Sequence, residues 1–186
     1  MSQGYGSSAA WYVAVYSSLN APPTTYGDGD IKYSVFCGYD GSGDLFIDGA
    51  GGTGFEELPK GGHAFQEISV NKVLGAGPLQ WDGTYMAVQV NSDPPTIYQI
   101  SVSGSTGTII STTVLDRHRG KHIKLWGKMW IQGSTVLYPQ GGRRNANVGF
   151  YHYPQGGEAY KKLNPDPKAK GKTFVNYISV SNRGPR

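Results

Sequence analysis

Apolar residues in this chain come in short runs, mostly aromatic or β-branched, separated by clusters of Gly, Pro, Asn, Asp and Ser. Runs of that length, bounded by turn formers, predict β-strands. Trp11 to Tyr16 is the first, and Ala21-Pro22-Pro23 breaks it before a partner strand at Thr24 to Tyr26. After the turn Gly27-Asp28-Gly29-Asp30, strands are expected at 31–38, 45–48, 55–58 and 64–70, separated by Asp40–Gly43, the Gly-rich stretch 49–54 and Pro59–Gly62. Ile97–Val102 and Thr108–Val114 flank a Gly/Ser/Thr turn and read as a hairpin. Val148–Tyr153 and Ala159–Leu163 flank Pro154–Gly157 in the same way.

Three segments repeat one theme, an aromatic residue, a tight turn and a short apolar strand. They are Tyr39-Asp40-Gly41 with Leu45-Phe46-Ile47, Trp81-Asp82-Gly83 with Tyr85-Met86-Ala87-Val88, and Trp126-Gly127 with Met129-Trp130-Ile131. The turn positions 40, 82 and 127 lie 42 and 45 residues apart. In an all-β chain a period of this size points to propeller blades. One four-stranded unit spans 31–70, a second about 72–115 and a third about 122–163, with 141–145 as an inserted loop. Trp11 to Tyr26 matches the outer half of a blade and Thr173 to Ser181 an inner strand, so the two ends together supply a fourth. The expected fold is therefore all-β and β-propeller-like, with about four blades of four antiparallel strands. It is either a closed ring or part of a larger propeller whose open edges would favour self-association. A single domain is expected over 11–181, with flexible ends at 1–10 and 182–186.

The segments Tyr39–Asp48 and Val13–Tyr16 resemble NHL-type and related six-bladed propeller repeats, in which Asp, a Gly turn and a Leu-aromatic-Val strand recur once per blade. Trp126-Gly127-Lys128 departs from that pattern, and the third unit is assigned by period. The resemblance implies either a non-enzymatic binding module or a calcium-dependent lactonase of the paraoxonase and gluconolactonase type. A lactonase of this kind would hold one Ca²⁺ in its central channel, where the ion polarises the lactone carbonyl. The polar side chains near inner-strand starts are Asp30, Gln80, His122 and Asn176, and His63 or His122 is the candidate general base. On the binding reading, Tyr151 and Tyr153 alternate onto one face and could stack on a sugar or a partner surface. A carbohydrate-active enzyme is disfavoured because only Glu56, Glu57, Glu67 and Glu158 represent glutamate.

Composition narrows the picture further. The 186 residues include 28 Gly and 11 Pro, consistent with many turns. No run approaches the ~20 apolar residues of a membrane span. No signal peptide is visible, so an exported protein would carry its leader outside this sequence. Cys37, the only cysteine, lies in the apolar run Val35-Phe36-Cys37 and is expected to be a buried, inert thiol. The net charge of +4 is concentrated in Arg117, Arg119, Lys121 and Lys124, and in Lys161, Lys162, Lys168, Lys170 and Lys172. Neither cluster carries the aromatic spacing of an RNA-binding sheet, which disfavours nucleic acid as a partner and leaves a small molecule, a glycan or a protein. Asp40–Asp44 superficially follows calcium-loop spacing, but Leu45 and Gly51 stand where an EF-hand needs Gly and an acidic residue, so a hairpin turn is expected. His118 and His122 are four apart but flank Gly120 between strands, which favours a loop over a zinc site.

Overall fold

The computed structural model describes residues 12–27, 33–50, 54–90, 92–116, 128–140 and 147–164, with 178 and 180. Among these residues there are strands and turns and no helix, and so none long and apolar enough to cross a membrane. A hairpin of β1 (Tyr12–Val15) and β2 (Thr24–Gly27) is followed by three four-stranded antiparallel meanders. The first is β3 (Tyr33–Tyr39), β4 (Leu45–Ala50), β5 (Phe55–Leu58) and β6 (Gln66–Val70). The second is β7 (Leu79–Trp81), β8 (Met86–Val90), β9 (Thr96–Ser103) and β10 (Thr106–Val114). The third is β11 (Trp130–Gln132), β12 (Thr135–Gln140), β13 (Asn147–His152) and β14 (Gly156–Leu163).

Successive units meet in one recurring way. The end of β6 pairs in parallel with the start of β10 at Ser69–Thr106 and Val70–Gly107, joining the first two meanders into an eight-stranded sheet. The end of β10 meets the start of β14 in the same sense, through the parallel bridge Leu115–Gly157 and the bond from Asp116 N–H to Gly157 O at 2.7 Å. At the other edge of the units, first strand lies on first strand. β3 runs against β7, where a Cβ on Gly38 would stand 3.0 Å from Leu79 Cδ1. Gln80 of β7 reaches the backbone of Ile131 in β11.

Strand alternation places one apolar row on each face of a meander, and three interfaces between neighbouring units bury such rows. Leu45, Ile47 and Leu58 pack under Val13, Val15 and Tyr26 of the hairpin. Phe46, Phe55 and Ile68 meet Leu79, Met86 and Val88 of the second meander. Ala87, Ile97 and Leu115 meet Met129, Ile131, Val136, Tyr138 and Tyr151 of the third. Each fully buried side chain of this size contributes roughly 1.5–3 kcal/mol, so the interfaces between units are the core of the molecule.

The structure corrects the assignment of the third repeat. Met129-Trp130-Ile131 leads into and forms the first strand of its meander, before the turn and not after it. Ile131 pairs with Val136 as Trp81 pairs with Met86, with four residues between in each case. The turn that corresponds to Asp82-Gly83-Thr84-Tyr85 is therefore Gln132-Gly133-Ser134-Thr135. Gly83 and Gly133 hold positive φ values of 107° and 54°, as a glycine in a tight turn can. Trp126 and Gly127 lie outside the described residues, as does the expected inner strand from Thr173 to Ser181 apart from 178 and 180.

Cys37 is also corrected: its thiol is exposed. Cys37 sits opposite Ile47, on the face that the β1–β2 hairpin covers. That hairpin packs on β4, β5 and the approach to β6, and leaves the outward row of β3, Cys37 and Tyr39, open to solvent.

Candidate functional site

The two ends of the meanders differ in chemistry. One end carries the first turn of each meander, at Asp40, Asp82 and Gln132. In the first turn Asp40 Oδ1 accepts from the N–H groups of Ser42, Gly43 and Asp44 at 2.8–2.9 Å. Asp44 Oδ1 accepts from Lys60 N–H at 2.6 Å. These carboxylates hold loops together, so the hairpin reading of Asp40–Asp44 stands. Burial raises the pKa of the neighbouring Glu57, and the charges of Asp44 and Asp40 raise it further.

In the second turn Asp82 repeats the arrangement and adds to it. Its Oδ1 accepts from Thr84 and Tyr85 N–H at 2.9 and 2.8 Å. Its Oδ2 accepts from Gln99 Nε2 and from the Tyr153 hydroxyl, each at 2.7 Å. Burial pushes this carboxyl upward, but the hydrogen bonds from Tyr85, Gln99, Tyr153 and Thr84 outweigh it and hold the pKa below the usual range. Tyr153 belongs to the third meander, so Asp82 ties two units together.

Tyr151 and Tyr153 share a face, as their spacing implies, but that face is turned inward. Both are buried in the core between the second and third meanders. Burial raises the pKa of each phenol, and Asp82 raises that of Tyr153 further. The Tyr151 hydroxyl accepts from Gln140 Nε2. Neither ring is open to a ligand in this arrangement.

The opposite end gathers the starts of β7 and β11 with the ends of β4, β8 and β12. Of the residues expected to converge on a metal here, Asp30, His122 and Asn176 lie outside the described residues. Gln80 is described and is already engaged. Its Nε2 donates to Ile131 O and its Oε1 accepts from Ile131 N–H, both at 2.8 Å. The side-chain amide thus substitutes for a strand at the seam between two meanders, and neither polar atom faces an ion. His63 is exposed in the β5–β6 connection, at the first-turn end, so it does not join Gln80 at the inner-strand starts. Among the described residues no group of three or more His, Cys, Asp or Glu side chains could hold a metal.

The residue of most chemical interest at this end is Asp48, which by sequence is simply the last residue of a strand. It is only 1% exposed. Its Oδ2 accepts from Gly77 N–H at 3.0 Å, and its Oδ1 has no hydrogen-bond partner among the described residues. Burial drives its pKa up to about 7, with the Gly77 and Gly49 N–H groups pulling it back. Gly77 is needed there because a Cβ would collide with the Gln89 carbonyl oxygen. Gln89 is the counterpart of Asp48 in the second meander, three residues beyond Met86 as Asp48 is three beyond Leu45. It is also buried, with Nε2 at 3.4 Å from the Tyr138 hydroxyl. A polar residue at one fixed offset in two apolar strands, Leu-Phe-Ile-Asp and Met-Ala-Val-Gln, is the sequence signal that marks this pair.

Comparison with protein-family models, curated proteins and solved structures finds no match to this chain.

Proposed function

We propose that this chain is a non-enzymatic binding module built from β-propeller repeats, recognising a small molecule, glycan or protein at the end where β4, β8 and β12 finish. On this reading each meander is one blade, and β1–β2 is the outer pair of a fourth. The observation that carries the proposal is the recurring junction between units, with outer strand end on outer strand start and first strand on first strand. Units related in that way bring the ends of β4, β8 and β12 and the starts of β5, β9 and β13 to one end, which is the proposed recognition surface. The carboxylates Asp40, Asp44 and Asp82 of the turn end are spent on holding loops and units together, which favours recognition at the other end.

The calcium-dependent hydrolase reading is weaker, because Gln80 is occupied by the Ile131 backbone and His63 lies at the wrong end. The test is retention on a panel of immobilised glycans and small molecules, with two variants compared. Replacing Asp93, exposed in the β8–β9 connection, is expected to weaken retention of whatever ligand binds, whereas replacing the exposed Thr84 at the turn end leaves it unchanged. Turnover of lactones or aryl esters that is abolished by chelation and restored by Ca²⁺ would overturn the proposal in favour of the hydrolase.

A further inference from the structure

The third meander ends the series of described units, and its outer face is only partly covered: Pro139 and Val148 are buried, whereas Trp130, Leu137 and Phe150 are half-buried. Trp130, Leu137, Phe150 and Lys161 lie directly opposite one another on successive strands and so share that face. The alternate row, Ile131, Val136 and Tyr151, is buried against the second meander. The exposed part of this face is aromatic. Tyr160 stacks on His152 with ring centroids 4.5 Å apart and lies 6.4 Å from Phe150, yet it is 50% exposed, and Leu163 is 49% exposed.

At the other end of the series stands a complementary surface. One row of the β1–β2 hairpin, Val13, Val15 and Tyr26, is packed on the first meander. The opposite row presents Tyr12 and Tyr16, which are 66% and 60% exposed. The hairpin also obeys the junction rule, since Tyr26 in β2 meets Phe65 at the approach to β6 with ring centroids 6.3 Å apart. Outer strand thus succeeds outer strand from β2 to β6, β10 and β14. The register of this outer face matches faces covered elsewhere: Leu137 stands where Ala87 and Phe46 stand in the earlier meanders, and each of those is packed beneath the next unit. By this rule the neighbour of β14 is a strand of the β2 kind. Within one chain the two surfaces do not bury each other, as the exposure of Tyr12, Tyr16, Tyr160 and Leu163 shows.

We propose that the exposed part of the outer face of β11–β14, around Tyr160 and Leu163, receives the β1–β2 hairpin of a second copy of this chain, head to tail. The contact uses different surfaces on the two copies. It is heterologous and extends into a closed ring of chains or an open filament. It concerns the outer faces of the terminal units and is independent of any ligand bound at the strand ends.

Sedimentation velocity of the full chain over a wide concentration range tests this with Tyr12→Glu and Tyr160→Glu. The wild type is expected to form species larger than a monomer that grow with concentration. Each variant alone is expected to be monomeric, and an equal mixture to form a dimer and nothing larger, because only one intact hairpin and one intact face remain to pair. Complementation in the mixture also shows that both variants are folded; if it fails, Tyr16→Lys and Leu163→Lys, checked by near-ultraviolet circular dichroism, repeat the test on the same two surfaces. A wild type that is monomeric throughout overturns the proposal, as does a folded pair that does not complement. Association lost in Tyr160→Glu but retained in Tyr12→Glu shows face-to-face pairing of two third meanders, and overturns it too.

Discussion

Replacing Asp48 with Asn should stabilise this protein at neutral and alkaline pH and leave it nearly unchanged in acid. The carboxyl is buried between the first and second meanders, with one N–H donor from Gly77 and its other oxygen unpartnered among the described residues. Its ordinary pKa of 3.8 is raised to about 7 in the fold. Well below its ordinary pKa of 3.8 the group is protonated in both folded and unfolded chains and contributes no difference. Between about pH 4 and pH 7 the unfolded chain has released the proton and the folded chain still holds it, so folding becomes less favourable as pH rises. Above pH 7 both states are ionised and the penalty is constant. At about 1.4 kcal/mol per pH unit the full window corresponds to roughly 4 kcal/mol, an upper bound because relaxation around the charge reduces it. Asn keeps the acceptor for Gly77 and carries no charge to desolvate. Urea denaturation of both proteins from pH 4 to pH 8 measures the difference directly, with other titrating groups cancelling between them. The midpoint for Asp48→Asn should exceed that of the wild type at pH 8 by an amount that shrinks to near zero at pH 4. Equal midpoints at pH 8, or a variant less stable than the wild type there, would refute the reasoning.

Further outcomes are expected at the ties between units. Gln80→Ala removes both bonds to the Ile131 backbone and should cost about 2 kcal/mol in denaturant titration, from roughly 1 kcal/mol per bond, by the same amount with and without a chelator. Tyr153→Phe deletes the hydroxyl donor to Asp82 and should destabilise by about 1–2 kcal/mol at pH 7. Because Asp82 has a depressed pKa in the fold, that loss should fade as pH falls through it, which a pH series of unfolding midpoints checks. Cys37 should react with a disulfide reagent such as DTNB under native conditions, at a rate close to that in denaturant; reaction only after unfolding would contradict its exposure.

Much of the strand framework could be read from local pattern because local pattern causes it. Phe55–Leu58 falls where expected, and the expected hairpin 97–114 is realised as Thr96–Ser103 with Thr106–Val114. Apolar alternation and turn chemistry act within a few residues, and these elements depend on little else. The third repeat misled for the converse reason. Its turn, Gln132-Gly133-Ser134-Thr135, lacks the Asp-Gly pair, while Trp126-Gly127 mimics it at nearly the right spacing. Only the cross-strand register of Ile131 with Val136 distinguishes the two.

The site was less legible because its character comes from neighbouring units. Alternation puts Tyr151 and Tyr153 on one face, but only the second meander decides that the face is buried. An apolar run suggests that Cys37 is buried, but the hairpin that covers Ile47 stops short of β3. Gln80 looks like a free polar group at a strand start until the Ile131 backbone arrives beside it from another repeat. Asp48 and Gln89 stand at one offset in two strands, but nothing local in the sequence sets them apart from other strand-end polar residues. Their burial depends on the next unit packing over them.

The central claim is that each meander passes its outer strand end to the outer strand start of the next. Nuclear Overhauser contacts across the two junctions test it most directly. Parallel bridging predicts contacts between Leu115 and Gly157, and between Ser69 or Val70 and Thr106 or Gly107, in the same folded sample. Strong contacts within the meanders with neither junction observed would mean that the units form but are not joined in this way, and the account would be wrong.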